Sequence, residues 1–354
     1  MTMTDDSPPT GPDHRLDAGE GRPTLKTIAQ RTGLAVATVS RALKDAPDIG
    51  EETKRRVREV ARDLGYRPNR AGVRLRTGKT NVIALVMSTE HDVMNHTARL
   101  IYSIAGALRE TPYHLIVAPF FASEDPMQPI RYLVESGSAD GIIINQTRPE
   151  DPRVAYMSAR GVPFATHGRT AMGIPHPFAD FDNAAYGAMA VRRLAAAGRR
   201  RVLLIAPPRG QTYAEHMIEG ARAAAPEAGV DLVLADGISS DDSSGRVEAA
   251  LRAIPDDAWC DGIISGSTNA AMCAVAAAES RGQRLGAGFD VVAKEAVPFL
   301  HRFRREMIVV REDVTEAGDF LARAVMAVIA GADPAGWQHV ALPSFQAAPA
   351  PGED

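Results

Sequence analysis

From Val82 onward, short apolar runs alternate with longer amphipathic stretches, and this alternation restricts the fold more than any other feature of the chain. The runs cover residues 82–87, 114–118, 141–145, 163–166, 202–206, 231–235, 262–265 and 289–292. Runs this short, separated by helical periods, predict parallel strands with helices on both faces of the sheet. So many of them predict two lobes rather than one. In open α/β sheets, ligands sit beyond the carboxyl ends of the strands. Polar residues gather at those ends: Asn95 and His96 after the first run, Asn145 closing the third, and His167 after the fourth. His216, Asn269 and Asp290 are the corresponding candidates in the second lobe.

Upstream of Val82 the pattern is helical and basic. Residues 24–43 read TLKTIAQRTGLAVATVSRAL: Thr24 suits an N-cap, Leu25, Ile28 and Ala29 share one helix face, and Gly33 supplies a turn. Val39, Ala42 and Leu43 bury one side of a second helix and leave Val36, Ala37, Ser40, Arg41 and Lys44 outward. Two short helices about a turn suit a helix-turn-helix, whose second helix lies in the major groove of DNA. Arg41 can donate two hydrogen bonds to a guanine, Val36 and Ala37 can touch thymine methyls, and Thr38, Ser40 and Lys44 can hold phosphates. A third helix is predicted over 51–64 from Val57, Val60, Ala61 and Leu64, with Gly65 ending it. The charge agrees: residues 22–79 carry 15 Lys and Arg against six Asp and Glu, a net of +9 in a chain whose total is −4. Attraction to a polyanion is therefore confined to this end.

The pairing of ATVSRAL with GYRPN, continued as GYRPNRAGVRLRTGKTNVIALV, resembles the LacI/GalR family of transcriptional regulators. The likeness covers nearly the whole chain from Thr24 and is strongest over 24–86. It implies an all-α helix-turn-helix DNA-binding head and an α/β two-lobe core, with parallel sheets, like that of periplasmic binding proteins. It also implies a homodimer on a double-stranded operator. Thr24, Asn69 and Arg70 join the DNA-contacting set, residues 69–75 become a hinge helix, and Leu75 wedges into a minor-groove step. By the same resemblance Asn145 and Asp290 contact the effector, and the lobes exchange crossing segments, with lobe one over 80–165 and again near 307–331. Three residues depart from the pattern: Ala35 and Gly50 at helix N-caps, and Gly72 in the hinge, where glycine costs on the order of 1 kcal/mol relative to alanine. Met217 stands where many members carry an effector-binding Arg, which favours a neutral sugar or polyol over a carboxylate.

Other readings are weaker. The ending Gly78-Lys79-Thr80 looks like a phosphate loop, but an apolar strand rather than a helix follows it. No Gly-x-Gly-x-x-Gly follows a strand, so an enzyme on a nucleotide-binding fold is disfavoured and no cofactor is expected. His91, Asp92 and His96 lack the spacing of a helical metal pair, so no metal is expected either. In Asp180-Phe181-Asp182-Asn183 a helix cap is preferred to paired catalytic carboxylates. A solute-binding protein would need an export signal, whereas the first 21 residues are acidic and rich in Pro and Gly, and no run of 18 apolar residues occurs. With only Cys260 and Cys273, reduced thiols in a cytoplasmic protein are expected. The expected plan is a disordered tail over 1–21, the DNA-binding domain over 22–66, a hinge over 67–79, the effector-binding and dimerisation domain over 80–345, and a tail over 346–354. The expected function is a repressor released by a sugar-like effector. The alternatives are an activator, or a regulator working with a corepressor such as a nucleobase.

Overall fold

The computed structural model describes residues 23–66, 78–88, 96–121 and 123–347, and the chain divides into two compact units between Thr80 and Asn81. The first unit contains α1 (Leu25–Thr32), α2 (Val36–Ala42) and α3 (Glu51–Asp63). Ile28, Ala29, Val39, Ala42, Val57 and Ala61 form its core, one apolar pair from each helix. Thr24 caps α1 in a reciprocal box with Thr27, and Gly33 ends it at φ 69°, a left-handed geometry that suits glycine. Ala35 and Gly50 cap α2 and α3 with no side-chain hydrogen bond. The expected tail over 1–21, residues 348–354 of the other tail, the hinge residues Asn69, Arg70, Gly72 and Leu75, and the loop with His91, Asp92 and Asn95 lie outside the described residues.

The second unit is two parallel sheets with helices packed on them. The first has the order β12-β5-β4-β3-β1-β2 and the second β11-β10-β8-β6-β7, with the short β9 beside β10. Lobe one holds β1 (Val82–Ser88), β2 (His114–Phe120), β3 (Gly141–Ile144), β4 (Phe164–His167) and β5 (Phe178–Phe181). Between its strands come α4 (His96–Ala107), α5 (Met127–Ser136) and α6 (Pro152–Ala159). Lobe two runs through α7 (Asn183–Ala196), β6 (Arg201–Ile205), α8 (Thr212–Ala228), β7 (Asp231–Leu234), α9 (Ser244–Ala253), β8 (Gly262–Ser265) and α10 (Thr268–Ser280). It closes with β9 (Arg284–Leu285), β10 (Gly288–Glu295), α11 (Leu300–Phe303) and β11 (Ile308–Arg311). The chain then returns to lobe one as α12 (Val314–Ile329) and β12 (Gln338–Ala341), the latter paired with β5.

The lobe boundaries differ from the expected ones. Lobe one extends to Phe181 rather than ending at residue 165, and its second visit begins after β11, whose Ile308 pairs with Val292 in lobe two. Four-residue strands with a polar member, such as FADF and QHVA, carry too little apolar signal to be seen alone. The carboxyl end also departs from a loose tail at its start. Phe345 bridges Val310, and the Gln346 N–H donates to the Val309 carbonyl, so the chain crosses once more to the edge of β11.

Candidate functional site

Two surfaces of this chain carry candidate chemistry. On the head, Val36, Ala37, Arg41 and Lys44 are exposed and Thr38 and Ser40 half-buried, while Val39 and Ala42 are fully buried beneath them. Helical spacing thus presents one side of α2 to solvent with a guanidinium, an ammonium, two hydroxyls and two small apolar groups. Arg41 is not idle in the DNA-free chain, because its guanidinium contacts the Asp48 carboxylate. Asp45, between α2 and α3, gathers Lys54 at 3.2 Å and Arg58 at 2.6 Å.

In the second unit, a cleft between the two sheets holds about 930 Å³ of space, counted out to its open mouth. Its walls are residues that follow strand ends, as parallel topology demands, because all strands of both lobes aim their carboxyl ends at one another. Lobe one contributes Asn145 and Gln146 after β3, His167 and Gly168 at the end of β4, Asp180 in β5, and His96 at the start of α4. Lobe two contributes Tyr213, Asp241, Ser267, Thr268, Lys294 and Glu295. Glu312 lies on the short link that carries the chain back from β11 to α12.

The charges are mostly paired within the wall. Lys294 Nζ lies 2.7 Å from Glu312 Oε2 and donates to Asn183 Oδ1 at 3.0 Å, which ties β10 to both crossing segments. Burial alone would raise Glu312, but Lys294 and the neighbouring His96 outweigh it and hold the carboxyl well below its usual range. Burial, helped by His96, drives His167 down to about 4, so its ring is neutral at neutral pH. Burial pushes Asp180 up to about 6, against the pull of Arg169, whose Nε is 2.9 Å away. Burial likewise raises Asp241, which accepts a 3.4 Å hydrogen bond from the Tyr213 hydroxyl. Asn145 Oδ1 is buried in this wall with no hydrogen-bond partner and, unlike Asp180 Oδ2, no ion pair either, an arrangement that costs about 1–3 kcal/mol until something donates to it.

Of the residues expected at this site, Asn145, His96 and His167 line the cleft. Three do not. Asp290 opens the opposite end of its strand: it pairs in register with Gly262, the first residue of β8, and its Oδ2 accepts from Arg199 Nε at 2.7 Å. Five residues of strand, about 16 Å, separate it from Glu295 at the cleft. His216 faces a surface groove with Arg169 and Arg192 on the outer side of α7 and α8, because Met217 next to it takes the buried position. Asn269 is turned away to Asp242 and Ser244, while its neighbours Ser267 and Thr268 reach the cleft. Lys294, Glu295 and Glu312 were missed, although charges ending the apolar runs VVAKE and VVRE are a visible signal of a strand end. Asp182 caps α7 by accepting from the Ala185 N–H, as expected for that segment.

Comparison with known proteins covers both units of the chain. Residues 24–69 match the family described as bacterial regulatory proteins of the lacI family, and residues 80–311 match periplasmic binding proteins and the sugar binding domain of the LacI family. The chain is 33% identical over 308 residues to the HTH-type transcriptional regulator AglR of Rhizobium meliloti, covering 84% of this chain and 86% of that protein. It is 37% identical over 192 residues to the HTH-type transcriptional regulator RafR of Escherichia coli, covering 54% of this chain and 57% of that one. Among solved structures, a lac repressor dimer bound to operator and the anti-inducer ONPF superposes with a TM-score of 0.80 at 17% identity, over 92% of this chain and 98% of the other. A CelR–cellobiose complex superposes with a TM-score of 0.64 at 23% identity, over the same shares. A three-helix head, a two-lobe core with a polar cleft, and matches over residues 24–69 and 80–311 together establish that the chain belongs to the LacI family of DNA-binding, effector-controlled transcriptional regulators.

Proposed function

We propose that this regulator is a cytoplasmic repressor that binds its operator as a homodimer and is released by a neutral carbohydrate bound in the cleft. The observation that carries the ligand class is the wall itself. Asn145 presents an unsatisfied buried acceptor, Gln146, Asp180 and Asp241 add amide and carboxyl groups, and the one lysine is already paired with Glu312. Amides and carboxyls suit hydroxyl groups, each of which donates and accepts. The CelR complex with cellobiose is a similar fold holding such a ligand. On the DNA side, Arg41 reads a base, Thr24, Thr38, Ser40 and Lys44 hold phosphates, and Asn69, Arg70 and Leu75 act in the hinge.

An edge of lobe one supports dimerisation there, since β2 is an edge strand. Ile116, Val117 and Phe121 are exposed there, flanked by Tyr102 at 74% and Tyr132 at 68% exposure on α4 and α5. An exposed apolar edge of this kind is normally covered.

The test is a thermal-shift screen of the full chain against neutral mono- and disaccharides, polyols, sugar acids and nucleobases, followed by operator release. A ligand that binds the folded state raises its melting temperature by mass action. A response to neutral sugars, with loss of operator binding, is expected. A response confined to nucleobases, or a ligand that tightens operator binding, would replace this reading with a corepressor.

A further inference from the structure

Three side chains from distant parts of the sequence meet at one point of the cleft wall. His96 Nε2 lies 3.4 Å from Glu312 Oε1, and His167 Nε2 lies 4.0 Å from the same oxygen. The three atoms are all within 4.8 Å of one another, and the two imidazole rings stand 5.1 Å apart, tilted by 47°. Only His96 is within hydrogen-bond reach of that oxygen, and among the described residues no other group hydrogen-bonds either ring, so both ring nitrogens face one carboxylate oxygen. The opposite oxygen of Glu312 is held by Lys294 at 2.7 Å, and Lys294 by Asn183, which fixes how the carboxylate points.

The two separations from Glu312, 3.4 and 4.0 Å, are those of a metal seat. An ion about 2.0–2.2 Å from two ligand atoms, at a tetrahedral or wider angle, spaces them by roughly 3.3–4.2 Å. Two imidazoles and one carboxylate, with the remaining positions open, suit divalent transition metals rather than magnesium or calcium, which prefer oxygen alone. The positive charge of Lys294 works against an ion here, while Asp180 and Asp241 in the same wall work for one. Sequence spacing did not suggest the set, since 71 and 145 residues separate its members and only the convergence of strand ends unites them.

We propose that His96, His167 and Glu312 bind a divalent transition ion of the zinc class, with its free positions facing the cleft. The full-length, tag-free protein, stripped with EDTA and desalted, is titrated with Co²⁺ followed by its visible absorption, then with Zn²⁺ in competition. One equivalent of Co²⁺ per chain, displaced by Zn²⁺, is expected. His96→Gln, His167→Gln and Glu312→Gln should each weaken uptake by at least the about 10–100-fold attached to outer-sphere partners. His216→Gln, on the outer groove, should bind as the parent does. Because Glu312→Gln leaves Lys294 without its carboxylate and can unfold the lobe, the half-exposed His96 provides the decisive variant, checked by its melting curve. Absent uptake, or uptake unchanged in folded His96→Gln and His167→Gln proteins, overturns the assignment. The metal titration does not depend on which effector the cleft takes, so a failed sugar screen leaves it standing.

Discussion

At the scale of single residues, Arg41 and Lys44 are expected to separate cleanly. Arg41→Ala should relax base preference at one operator position at a cost of about 1–3 kcal/mol. Lys44→Ala should weaken all sequences alike and lower the salt slope by about one, so anisotropy titrations on operator and random DNA at several salt concentrations distinguish the two. In the core, Asn145→Ala should abolish effector binding while operator affinity stays near that of the parent. Asp290→Ala should instead cost stability and leave effector binding intact. It leaves Arg199 without its largely buried carboxylate partner, costing about 3 kcal/mol in a urea melt, yet spares the effector response. Loss of induction in a folded Asp290 variant would return that residue to the cleft. Asp180 supplies a pH signature. Its folded value, about 6, lies above the ordinary 3.8, so the folded state holds the proton more tightly and stability contributed by this group is full below pH 3.8 and lost as pH rises through 6. Asp180→Asn should remove that falling component from urea melts collected between pH 4 and 7.

At the scale of elements, α7 and α8 show how composition sets an interface. A Cβ on Gly220 would collide with the Ala184 carbonyl and one on Gly187 with the Met217 carbonyl, so the two helices cross backbone to backbone. Gly220→Ala should therefore destabilise the second unit by about 1–3 kcal/mol or more through forced separation, read as a lowered urea midpoint with unchanged slope. The same residues look unremarkable in sequence, as glycines inside a helical period. Helix existence was legible from Leu25, Ile28 and Val39, Ala42 because periodicity is a local property. Strand ends were legible only to within about three residues, as β10 shows by running on to Glu295, and β5, β11 and β12 fell outside the expected runs, β5 and β12 because polar residues interrupt so short a stretch. Pro119 within β2 illustrates a local rule overridden by position: the strand edges its sheet, where proline is tolerated.

For the whole molecule, the edge strand β2 carries the expectation about assembly. Val117→Asp should leave the chain folded but shift it to a monomer in sedimentation, with operator affinity falling because two half-sites are no longer held together. A dimer that persists would move the interface elsewhere. The features legible in the residues alone were local or additive: the basic head, its helical faces, the two-lobe alternation of strand and helix, and the polar character of strand ends. Which end of each strand meets the cleft, and which distant residues meet there, came from the packed fold. Asp290 and Lys294 share one strand, and both are charged residues in an apolar run. Strand direction puts the first against Arg199 and the second beside Glu312, His96 and His167. Periodicity specifies which face a side chain takes, but its position along the strand acquires meaning only when the second sheet is in place.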